Sequence, residues 1–263
     1  MQDYKLYKGA WIYAGNLSEA KKLTEKQLHS LLNRGGKFVR ETYDFDCKEK
    51  TSFWFVIKDS FGGMDELSAK MRNQVRKCFK TMRVERISAA YLLANGYEVM
   101  VAACANYHVK AVPPTRDQFE ARIKNAEENE FWGVIDIATD KLVAFSMNAV
   151  TAECSEYRTM KAIPKYQKLY AYYGLIYEMN RYYLEERKLK YVNDGARSIT
   201  NHSNIQPFLI DKFKFRKAYC RLDLTYKWWL GIAVRVLYPF RSMIHERRVR
   251  AMLDMEAMAR AEI

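Results

Sequence analysis

The chain has little of what would place a protein outside the cell, in a bilayer or around a metal. Its five cysteines, Cys47, Cys78, Cys104, Cys154 and Cys220, are odd in number, widely spaced and free of any CxxC pair. Neither a disulfide framework nor a zinc site is indicated, and reduced core thiols in a cytoplasmic protein are expected. No run approaches the ~18 apolar residues of a membrane span, and MQDYKLYKGAW at the start lacks the apolar core of a secretory signal. There is no repeat and no low-complexity linker. No Ser/His/Asp order, carboxylate pair or metal-ligand spacing stands out, so no metal is expected.

What is present is material for an ordered core and a surplus of positive charge. The 263 residues are 49% apolar and 14% aromatic, enough for one large or two modest domains. The net charge of +13 asks for an anionic partner, which can be a nucleic acid, a CoA-type phosphate ligand or an acidic membrane surface.

Periodicity supplies the elements. Leu23, Leu28, Leu31 and Leu32 fall at helical spacing before Gly35-Gly36, and KFVRETYDF and SFWFVIKD follow as strands. His29 lies among these leucines as a surface or structural residue. A second helix carries Leu67, Met71, Val75, Cys78 and Phe79 on one face and Lys70, Arg72, Arg76, Lys77 and Lys80 on the other, where cations either bind phosphates or are simply solvated. Residues 88–108 read as helical with an interruption at Asn95-Gly96, and His108 adjoins the loop that follows. Thr115 and Gln118 form a capping box for the next helix. EFWGVIDIATDKLVAFSMNAV is a hairpin around Ala138–Lys141, and SEYRTMKAIP a third strand ended by Pro164. After the tyrosine-rich KYQKLYAYYG, which can line a cleft or fill the core, Tyr172, Leu175, Ile176, Met179 and Tyr183 mark another helix.

The remaining elements are organised around Tyr191–Lys217, YVNDGARSITNHSNIQPFLIDKFKFRK. It reads as a buried strand, a turn at Asn193-Asp194-Gly195, a short helix capped by Ser203 and Asn204, and a second strand. A polar loop between the C-terminal end of a strand and a helix N-terminus is where open α/β sheets place ligands.

NIQPFLIDKFKFRK resembles the "N..A..lYeklGF.." signature of the GNAT superfamily of acyl-CoA acyltransferases, with Asn204, Pro207, Asp211, Lys212 and Phe215 at the matching positions. Ile210 stands where many members carry a tyrosine general acid, and Lys214 where they carry glycine. LSAKMRNQVRK followed by VERI resembles a basic helix and strand of the FemAB and CelD-like branch. The resemblance implies a mixed α/β sheet of GNAT type with flanking helices over residues 52–225, preceded by an α/β segment, 1–51, and followed by a basic helical tail, 226–263. It implies that the second hairpin strand, at Phe145, Ser146 and Met147, pairs with the pantetheine arm of acyl-CoA, most simply acetyl-CoA. The pyrophosphate would lie near Gly174, although the usual QxxGxG or RxxGxA loop is missing, and near Asn204.

For the chemistry, His202 is the candidate base, Asp194 would orient the acceptor or the imidazole, and Tyr173 is a candidate proton donor; a cap and a turn explain the first two equally. Arg197 can grip phosphate or carboxylate, and Ser198, Asn201 and Glu178 are candidate acceptor ligands. The acceptor would be an amine or hydroxyl on a small molecule or glycan, as in polysaccharide or cell-envelope precursors. An aminoacyl-tRNA donor, or a non-catalytic module binding nucleic acid or membrane, are the other readings. The tail, with Trp228, Trp229, Ile232, Val236 and Phe240 beside Arg235, Arg241, Arg247, Arg248 and Arg250, suits peripheral membrane contact, packing on the domain or a second subunit.

Overall fold

The computed structural model describes residues 3–105, 112–125, 129–199 and 204–261. Its strands are β1 (Tyr4–Tyr7), β2 (Ala10–Tyr13), β3 (Phe38–Tyr43), β4 (Phe53–Lys58), β5 (Met82–Ile87), β6 (Asn129–Asp136), β7 (Leu142–Val150), β8 (Cys154–Ala162), β9 (Tyr191–Ala196) and β10 (Arg216–Tyr226). Its helices are α1 (Glu25–Asn33), α2 (Ala69–Thr81), α3 (Ala89–Ala105), α4 (Arg116–Lys124), α5 (Pro164–Gln167), α6 (Ala171–Asn180), α7 (Ile205–Phe213), α8 (Trp228–Leu237) and α9 (Arg247–Ala259). The mixed sheet, flanking helices and helical tail expected from the sequence are present.

Contacts gather these elements into two compact units. One takes the described residues of Met1–Val56, Ala196–Asn201 and Lys217–Ile263, and the other those of Ile57–Gly195 and His202–Arg216. In the first, β1 and β2 form an antiparallel pair, β2 runs parallel to β3, and β3 pairs antiparallel with β10. Trp11, Leu31, Leu32 and Val39 make its core beneath α1, whose start is fixed by the Thr24–Gln27 capping box.

In the second unit the strands lie in the order β9-β8-β7-β6-β5, with β8 and β9 parallel and the rest antiparallel. Alternation of side chains across a strand puts successive residues on opposite faces. Phe131 and Ile135 of β6 and Phe145 and Met147 of β7 therefore meet Leu92, Val99 and Met100 of α3 and Phe119 and Ile123 of α4. Trp132 and Asn148, one residue out of step, face the opposite side and reach Tyr183 beyond α6.

One sequence expectation is corrected here. Helix α3 runs through Asn95-Gly96 without a break. Gly96 is a packing residue, because a Cβ there would strike Leu92 and the Phe119 ring of α4. The short β1 and β2 add a hairpin that the sequence reading passed over.

Candidate functional site

Strands β8 and β9 stay together only briefly. Their parallel register covers Cys154↔Tyr191, Ser155↔Val192 and Glu156↔Asn193, after which β8 continues to Ala162 and β9 to Ala196 without further pairing between them. From Tyr157 onward no described strand pairs with β8 on that side, the kind of edge to which an extended ligand can add. Asn193, buried, bends the chain by accepting the Gly195 N–H on its Oδ1 at 2.7 Å. Gly195 takes φ +95°, a left-handed conformation suited to glycine, and nothing lies within 4 Å of where a Cβ would stand. The open space therefore lies on the Gly195 side of the backbone, next in the chain to Asp194.

Asp194 is the electrostatically unusual group. Burial pushes its carboxyl up from 3.8 to about 7, a hydrogen bond with Gln206 at the start of α7 pulls it down, and the negative charge of Glu156 on β8 pushes it further up. A carboxyl poised near neutrality can take and return a proton under physiological conditions.

Behind it lies a chain of buried polar groups. Tyr157 of β8, fully enclosed, donates to Asn180 Oδ1 of α6 at 2.9 Å, and burial holds its phenol well above the usual range. Tyr183 accepts from Trp132 Nε1 at 2.9 Å and Asn148 Nδ2 at 3.3 Å and donates to Glu130 at 3.2 Å. Asn148 also accepts from Ser146 Oγ at 2.5 Å. Tyr183 is aimed into this network by a stretch of π-helix, Arg181–Glu186, that extends α6; a widened turn of this kind rotates the following side chains relative to a continuous α-helix, and is frequent at functional sites.

The sequence candidates fall in different places. Asp194 is at the parting of the strands. Tyr173 packs its ring on Phe208 and Phe213 of α7 at 5.1 and 6.2 Å and on Tyr170 at 5.3 Å, and burial raises its phenol. Asn204 stands at the N-cap of α7, and its side chain makes no capping hydrogen bond. Glu178 is taken by Arg181, which it holds with both oxygens. Arg197 belongs to the other unit: it donates to Ser52 O at 2.5 Å and lies over the Trp54 ring at 4.2 Å, with burial lowering its pKa. Ser198 follows it with its hydroxyl buried. His202 and Asn201, like Ser203 and His108, lie outside the described residues.

The pantetheine assignment is corrected. Strand β7 is paired along both edges, by β6 and by β8, so no backbone edge is left for a ligand. Phe145 and Met147 are buried under α3 and α4, and Ser146 is spent on Asn148. The available edge belongs to β8, one strand further on. Gly174 is corrected too. It sits within α6 with its N–H on Tyr170 O, and its missing side chain makes room for the Cys78 sulfur of α2. Glycine serves helix packing there, as in a close helix–helix contact, and does not shape a phosphate loop. Glu156, Tyr157 and Gln206 were not singled out from the sequence, and Asn193 was read only as a turn residue. Their one visible signal was polarity inside otherwise apolar strands and helices.

No family model and no curated protein sequence matches the chain. Among solved structures it is similar to FemX, with 10% identity and a TM-score of 0.53 over 85% of this chain and 81% of that one. It is similar to the C-terminal domain of a putative lysylphosphatidylglycerol synthetase from Agrobacterium fabrum, with 12% identity and a TM-score of 0.53 over 85% and 79%. It is also similar to L-PGS from Bacillus licheniformis, with 11% identity and a TM-score of 0.51 over 89% and 83%. These likenesses are of fold, and the fold is the GNAT-like one in its FemAB-like form.

Proposed function

We propose that the chain is a transferase that moves an acyl or aminoacyl group from an activated carrier to an amine or hydroxyl acceptor. The observation that carries this reading is Asp194, a half-buried carboxyl held near pH 7 where β8 and β9 part. The acceptor nitrogen or oxygen attacks the donor carbonyl while Asp194 takes its proton. As the carbon–sulfur bond of a thioester or the carbon–oxygen bond of an ester breaks, the same carboxyl returns the proton to the leaving atom. Tyr173, neutral at this pH, is a second proton donor in the proposal, and His202 a second acceptor. The free edge of β8 would pair with an extended donor arm.

Two donors fit this scheme. Acyl-CoA, acetyl-CoA in the simplest case, is supported by the unpaired β8 edge and the resemblance in α7. Aminoacyl-tRNA is supported by Gly174, whose packing role leaves no glycine-rich pyrophosphate loop at α6. It is supported as well by α2, where Lys70, Arg76, Lys77 and Lys80 are exposed and, among the described residues, paired with no carboxylate. The name of one structural neighbour, a putative lysylphosphatidylglycerol synthetase, points the same way, toward aminoacyl transfer to a lipid.

A thermal-shift titration with acetyl-CoA, longer acyl-CoAs and free CoA tests the first donor. A ligand at ~100 times its Kd stabilises by ~2.7 kcal/mol, so saturating CoA should raise the Tm clearly. A flat response to all of them, together with tRNA binding that falls steeply with salt, assigns the second. Failure of both donors refutes the transferase reading.

A further inference from the structure

Helix α8 has two apolar faces, and only one of them is covered. Leu230, Val234 and, a turn on, Tyr238 point inward and are buried. Trp228, Trp229, Ile232 and Val236 fall within about 100° of the opposite circumference at ~100° per residue. They are bare: Trp228 is 78%, Ile232 56% and Val236 60% exposed, and Phe240 and Met243 just beyond continue the patch at 56% and 72%. Isolated exposed apolar residues are ordinary, but a contiguous stripe with two indoles requires a partner.

Charge identifies that partner. The described acidic side chains of the tail are engaged: Glu256 holds Arg260 and accepts the Tyr226 hydroxyl, Asp254 holds Arg250, and Glu246 caps α9. Helix α8 contains no acid at all, and among the described residues no carboxylate pairs with Lys227, Arg235 or Arg247. Beside the stripe, Trp228, Ile232 and Arg235 line a cleft of about 340 Å³ shared with Glu256 and Arg260 of α9. A second copy of the chain laid on this face would set Lys227 and Arg235 against their own counterparts. A nucleic acid would leave the indoles and branched side chains against phosphate and water. A bilayer surface takes both features at once, the indoles and aliphatics at the headgroup boundary and the cations on lipid phosphates.

We propose that α8 and the turn to Met243 form an interfacial anchor that docks this unit on an anionic phospholipid membrane, with Trp228, Trp229, Ile232, Val236 and Phe240 entering the headgroup region and Arg235 beside them on lipid phosphate. This anchor lies on the surface and crosses nothing; no described helix is long and apolar enough to span a bilayer.

Flotation of the full chain with vesicles of phosphatidylcholine alone, or of phosphatidylcholine mixed with phosphatidylglycerol, tests the proposal. Partition should be at least about tenfold tighter on the anionic vesicles and weaken at high salt. The W228S/I232S variant, with folding checked by circular dichroism and Tm, should lose about tenfold or more, and R235Q about fivefold. L6S removes an apolar residue of similar exposure from β1 and should change nothing. The anchor is refuted if the wild type ignores anionic vesicles, if it binds neutral ones equally, or if W228S/I232S binds as well as wild type. A concentration-dependent dimer that W228S/I232S abolishes would refute it in favour of a second copy.

Discussion

Replacing Asp194 by Asn removes a carboxylate whose ionisation opposes folding. Its ordinary value of 3.8 is raised to about 7 in the folded chain, chiefly by burial. Below about pH 4 the group is protonated in both folded and unfolded chains and costs nothing. As pH rises from there toward 7, the unfolded chain releases the proton and the folded chain keeps it. Wild-type stability therefore falls by ~1.4 kcal/mol per pH unit across this window and levels off above it. The full displacement is worth about 4 kcal/mol, reduced to roughly 2–4 kcal/mol because solvent reaches a half-buried carboxyl. Asn keeps the shape and an oxygen for Gln206 without the charge. Asp194→Asn should thus match wild type near pH 4 and exceed it by ~2–4 kcal/mol at pH 8, while transfer activity is lost. Urea unfolding of both proteins across this pH range measures the difference. A variant no more stable than wild type at pH 8, or a difference that ignores pH, would refute the placement of Asp194. Gained stability with lost turnover is the pattern of a group retained for chemistry.

Other substitutions test the surrounding frame. Gly174→Ala drives a methyl into the Cys78 sulfur and should cost ~1–3 kcal/mol; adding Cys78→Ala should return part of that loss, and additive losses in a double-mutant cycle would deny the contact. Tyr183→Phe strips the shared partner of Trp132 and Asn148 and should lower stability by ~1–3 kcal/mol in denaturant titration. Lys214 ends α7 at φ +59°, so Lys214→Gly should stabilise by about 0.5–1 kcal/mol; a lower Tm would mean that the lysine side chain contributes more than its backbone costs.

Much of this protein is local in origin. The apolar runs and turn of the hairpin Phe131–Val150 and the helical spacing of Met71, Val75 and Cys78 depend on neighbours a few residues apart. So does the Thr115–Gln118 capping box, and all three are as the sequence indicates, although Leu67, expected on the same face as Met71, precedes the N-cap of α2. The break expected at Asn193-Asp194-Gly195 does not end the strand: β9 runs on to Ala196, and the turn chemistry survives only as the left-handed Gly195 and its hydrogen bond to Asn193. Strand pairing is different, because a strand's residues do not state which of its edges will be covered. β7 was expected to hold a ligand and is enclosed on both sides, while the edge that parts from its neighbour belongs to β8. Gly96 and Gly174 likewise look like a helix break and a loop remnant until Phe119 and Cys78 are set against them. The sequence by itself determined most of the elements from α1 onward and the cationic, aromatic tail. Only the tertiary structure decided which edge stays open and which glycines serve packing, and it raised one aspartate to neutrality, because burial, register and the approach of Glu156 and Gln206 to Asp194 join residues that the chain keeps far apart.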